Sequence, residues 1–85
     1  MLVTVDEAKK WLRIDVNEDD ALLQTLIEAA ARYIRNATGR DFEGDELAKV
    51  LALVLVADWY ENRALVGRTS DQVRPMVRGI LLQLG

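Results

Sequence analysis

Apolar and polar positions fall into four blocks along this chain, three with one apolar face at helical spacing and one that is apolar nearly throughout. In the first block Val5, Ala8, Trp11 and Leu12 recur at three- and four-residue intervals, the spacing that lines one side of a helix. Thr4 precedes that stripe and Glu7 follows three residues later. At this separation each side chain can satisfy the other's free backbone N–H, which predicts a helix start at Thr4. The stretch Asp15 to Asp20 then breaks the period and holds four acids in six residues. It reads as a solvated turn, with Asn17 or Asp19 placed to cap the next helix and the acids at the positive end of its dipole. From Asp20 to Gly39 one side carries Leu22, Leu23, Leu26, Ile27, Ala30, Tyr33, Ile34 and Ala37, and the other Gln24, Thr25, Glu28, Arg32, Arg35 and Asn36. That is an amphipathic helix with Tyr33 in its core face, an acid-before-base Glu28–Arg32 pair one turn apart, and a left-handed glycine to end it.

The third block differs in kind. From Leu47 to Tyr60 only Lys49 and Asp58 interrupt the apolar residues. Val50, Val54 and Val56 would suit a buried strand, but the length, three alanines and the lack of Gly or Pro favour a helix of about 20 residues, or roughly 30 Å. A helix apolar on all sides must be covered on all sides. Three short partner helices cover much of it but hardly all, so identical copies are expected to complete the core between them. Trp59 and Tyr60, about 100° apart at its end, are expected to divide the work. One enters the core, and the other borders a neighbouring subunit together with Arg63, which lies one turn from Trp59 and can stack on its ring. The alternative places both rings in an ordinary core. Phe42, between the second and third helices, is expected to plug the base of the domain. Residues 68–74 read as a polar, mobile linker. Pro75 then suits a first helical turn, and Met76, Val77, Ile80, Leu81 and Leu84 form the stripe of a last helix that Gly79 weakens. The fold class expected is all-α: a single domain over residues 1–85, a bundle of about four helices around a hydrophobic third.

Composition narrows the function mainly by exclusion. Hydrophobic residues make up 51% and charged residues 29%, and there is no cysteine and no histidine. Disulfides, Cys/His zinc sites, thiol nucleophiles and the usual general base are therefore absent. Asp58 and Glu61 share a helical face, but without a companion base they read as solvated surface rather than an acid–base pair. Asp15, Asn17 and Asp19 match the first, third and fifth places of a calcium loop, yet Asp20 stands where glycine is needed and Leu26 where a bidentate glutamate is needed. No catalytic residue, cofactor or metal site is expected. The net charge of −3 and the scattered basic residues argue against nucleic-acid binding. A helix-turn-helix reading would point Asp19 and Asp20 at phosphates, and its turn is longer than usual. The longest apolar run, Val50 to Ala57, is eight residues, against about 20 for a membrane span. No basic segment leads into an apolar run at the start, so a cytoplasmic origin is expected.

Three stretches, taken in order, carry a family likeness: "LVTVDEAKKWLRID", "NEDDALLQTLIEAAARYIRNATGR" and "ADWYENR". Their specific parts are Thr4 and Glu7 with Trp11-Leu12 and Asp15, then Tyr33-Ile34 and Thr38-Gly39-Arg40, then Trp59 to Arg63. With these the chain resembles the head–tail connector proteins of long-tailed bacteriophages, also described as DNA-packaging or head-completion proteins. Arg74 departs from the pattern, since an apolar residue commonly precedes the proline. The resemblance implies a structural virion protein, assembled in the bacterial host cytoplasm or carried on a prophage, that forms a ring of about a dozen copies. Its implied partners are itself, the portal protein and a downstream connector or stopper, with DNA passing through unbound by sequence. Trp59, Tyr60 and Arg63 are then the expected subunit interface, and Asp15, Glu18, Asp19 and Asp20 the expected lumen-lining or portal-facing acids. The competing class is a small helical protein-interaction or helix-turn-helix regulatory module.

Overall fold

The computed structural model describes residues 2–85. Its elements are α1 (Val5–Leu12), α2 (Asp20–Thr38), α3 (Glu46–Glu61), a single 3-10 turn (Arg63–Leu65) and α4 (Arg74–Leu84). The described residues form no strand, as the periodicities require. The helix ends follow local chemistry. Thr4 Oγ1 accepts from the Glu7 N–H at 3.1 Å while Glu7 Oε1 accepts from the Thr4 N–H at 2.9 Å, completing the capping box. Asp45 Oδ1 accepts from the Ala48 N–H at the start of α3, Gly39 ends α2 at φ 78°, and Pro75 occupies the first turn of α4. α1 ends less conventionally, with Arg13 left-handed at φ 60°, a conformation that favours glycine.

α3 is the axis of the domain, in contact with α1, α2, α4 and the 3-10 turn. Leu51 to Val56 are six consecutive buried residues, and with Ala48 and Trp59 they bury nearly every side of the rod; Val50, 38% exposed, is its one open large apolar side chain. This corrects the expectation that neighbouring copies complete the core. The chain covers its own central helix, because the segment after α3 folds back as a further layer beside the three helices. Leu65 and Val73 from that segment pack on the core. α2 supplies Leu23, Leu26, Ile27, Ala30 and Ile34, and α4 supplies Val77, Ile80 and Leu84. Three stripe members behave otherwise, the first being Trp11 on α1, 47% exposed. Ala37 is exposed on α2, and Met76 on α4 is 53% exposed because α4 turns inward the edge of Val77, Ile80, Leu81 and Leu84.

Polar ties cross between elements where apolar packing ends. Lys49 Nζ on α3 meets Glu7 Oε2 on α1 at 2.7 Å. Arg40 Nη2 donates to the Leu84 carbonyl at 2.6 Å, placing a cation at the negative end of α4. The same guanidinium lies 4.8 Å from the centre of the half-buried Phe42 ring, so the connection between α2 and α3 holds the last turn of the chain. The expected Glu28–Arg32 pair does not form; Glu28 accepts from Gln24 Nε2 instead.

Gly79 lies in α4 with nothing within 4 Å of where a Cβ would stand. Gly79→Ala is therefore expected to stabilise the domain by about 1 kcal/mol, seen as a thermal midpoint raised by about 4–8 °C. The Lys49 hydrogen bond, followed by that of the Thr4 backbone, lowers the Glu7 pKa from 4.5 to about 2. A carboxylate whose folded pKa is depressed adds stability that is complete above its unfolded value and is lost as pH falls through its folded value. Glu7→Gln keeps a capping-box residue but loses the charge. Its melting midpoint should lie below that of the parent at pH 7, and the gap should close between pH 4.5 and 2.

Candidate functional site

Four residues of the "DWYENR" segment that ends α3 make side-chain hydrogen bonds. Asp58 Oδ2 accepts from the Ser70 N–H at 2.9 Å. Trp59 is fully buried, and its Nε1 donates to the Arg68 carbonyl at 2.6 Å. Its ring meets that of Tyr33 edge to face, with centroids 6.0 Å apart. Tyr60 is half-buried, and its hydroxyl donates to Asp19 Oδ2, which raises the Tyr60 pKa. Asn62 Oδ1 accepts from the Ala64 N–H at 3.1 Å and so starts the 3-10 turn. The abrupt change from grease to charge and amide thus has a cause: Asp58, Trp59 and Asn62 bind backbone groups where the chain reverses, and Tyr60 binds the Asp19 carboxylate. Residues 68–70, expected to be mobile, are held by Asp58 and Trp59.

These contacts redistribute the expected interface residues. Trp59 belongs to the core and offers no surface to a neighbour. Arg63 is exposed and lies over Tyr60, 5.9 Å from its ring centre, rather than over Trp59. Rotation about the helix decides this, since the residue that points inward at the tip of α3 is the one facing Tyr33. The acidic loop divides in the same way. Asp19 holds Tyr60, and Asp20 Oδ1 pairs with Lys9 Nζ at 3.0 Å. Lys9 also donates to Asn17, tying the loop to α1. Asp19 stands at the N-cap position but caps with no side-chain bond, its carboxylate being engaged by the phenol. Asp15 and Glu18 are exposed. Asp58 binds the Ser70 backbone, and Glu61 is exposed.

Sequence reasoning missed the apolar side chains that remain outside: Trp11 at 47%, Val16 at 54%, Val66 at 45% and Leu82 at 82% exposure. Leu82 was detectable, because it falls off the Val77–Ile80–Leu84 stripe; Val66 was not, because it adjoins Leu65 and the sequence does not say which of the two turns inward. No group of three or more acidic side chains among the described residues is arranged to hold a metal ion, and no helix there is long and apolar enough to cross a membrane.

The domain is all-helical, the polar side chains at the end of α3 largely hold its own chain, and apolar groups remain on its outside. The family model of the phage gp6-like head-tail connector proteins matches residues 2–79, and the chain belongs to that family. It is thereby a structural component of the phage virion. Comparisons with curated proteins and with solved structures gave no match.

Trp59→Ala should cost about 3–5 kcal/mol, a large part of the stability of a small domain. Arg63→Ala should cost less than about 1 kcal/mol, the worth of an exposed cation–π contact. Urea denaturation of the two variants separates the core residue from the surface one.

Proposed function

We infer that copies of this chain close into a ring of about a dozen subunits at the portal vertex, joining phage head to tail and continuing the DNA exit channel. The portal protein contacts one side of the ring and a downstream connector or stopper the other. Assembly takes place in the host cytoplasm, and the ring is retained in the virion. The observation that carries this reading is the family match over residues 2–79. The exposed Trp11, Met76 and Leu82 support it, because apolar groups on different elements give a subunit more than one adhesive face. The net charge of −3 fits a channel through which DNA slides without sequence-specific contact. Arg63 over Tyr60 supplies a rim contact between subunits, and Trp59 supports that contact from within the core. Asp15 and Glu18 are the members of the acidic loop that meet another surface, whereas Asp19 and Asp20 hold the subunit together.

Electron microscopy of the purified protein, alone and mixed with its portal, is expected to show closed rings with a central opening wide enough for duplex DNA. Isolated subunits in both preparations would contradict the reading.

A further inference from the structure

Two adjoining hollows, of about 520 and 510 Å³, meet at Ala37. Ala29, Tyr33 and Ala37 from α2, Val66, and Leu81 and Leu82 from α4 supply their apolar lining, with room for more than one incoming side chain. Arg32 stands in the first hollow and Arg78 in the second. Both arginines are exposed, and neither has an ion-pair partner among the described residues; Arg32 lies one turn from Glu28 without pairing with it. An apolar floor between two uncompensated cations fits an occupant with an apolar tip between acids.

The chain carries such a tip. Val16 is 54% exposed, lies between Asp15 and Glu18, and both acids are exposed, without an ion-pair partner among the described residues. Trp11, also outside, fits worse, because its neighbours Lys10 and Arg13 would set cation against cation. The tip precedes α2 and the hollows adjoin its last turns; Asp20 and Ala37 are 17 residues apart, about 26 Å along the helix. Two different surfaces at opposite ends of one helix make a contact that repeats head to tail, the type of contact from which closed rings are built when its rotation closes.

We propose that the Val16 tip of one copy, flanked by Asp15 and Glu18, seats in the apolar hollows of the next copy between Arg32 and Arg78. This rests on the ring reading and gives Asp15 and Glu18 a neighbouring subunit as their partner in place of the lumen or the portal.

Charge exchange in the full chain tests it, with sedimentation velocity as the readout and circular dichroism to confirm folding. R32E/R78E and D15K/E18K should each weaken self-association by about tenfold or more, and the combination of all four should restore it. If the parent forms large assemblies and the combined variant stays as weak as the others, the pairing is overturned while the ring stands. If exchange restores association that stops at two copies, the pairing stands and the ring is overturned. If D15K/E18K leaves self-association intact and changes only portal binding, the acids serve the portal and the proposal fails. A parent that remains monomeric at every concentration overturns both.

Discussion

Everything in this domain answers to the need to keep α3 dry. A rod with Leu51 to Val56 buried in succession cannot tolerate an open side, since burial contributes about 25 cal/mol per Å² of apolar surface removed from water. The inner edges of α1, α2 and α4 are spent on it. So is the returning segment after Asn62, which Asp58 and Trp59 fasten in place through Ser70 and Arg68. What remains on the outside is not needed for folding, and that freedom lets a chain of 85 residues serve as an assembly piece.

Local signals were the legible ones. The Thr4–Glu7 box, the Gly39 cap and Pro75 each depend on atoms within about one turn, and all three appear where the residues place them. The helical periods of α1 and α2 and the all-apolar character of α3 gave the fold class for the same reason. Coverage of α3 was not legible, because it depends on which distant segment folds back over which side. Trp59 and Tyr60 show the limit most clearly. That one ring goes inward follows from their angular separation, but which one depends on where Tyr33 and Asp19 arrive from α2. The Glu28–Arg32 spacing was favourable, yet Gln24 took the carboxylate, a choice between exposed partners separated by only a few tenths of a kcal/mol. Of the candidate site, the acidic loop was visible as charge, but its division into holding and free acids required the Tyr60 and Lys9 contacts.

Membership of the gp6-like head-tail connector family and the structure agree on the kind of work done. The chain offers no histidine or cysteine for chemistry, and its conspicuous polar cluster at the end of α3 is committed internally. On the outer faces Trp11, Met76 and Leu82 stand clear of the core. A chain whose core is closed within itself leaves its outer contacts free to be set by partner choice rather than by folding.

Self-sufficiency of the single subunit is the central claim, and the dependence of unfolding on protein concentration tests it most directly. A core closed within one chain unfolds with a denaturation midpoint that settles at a constant value on dilution below the assembly range, and the dilute monomer keeps its helicity. A midpoint that continues to fall with every dilution, with helicity lost as copies separate, would mean that α3 is kept dry by its neighbours.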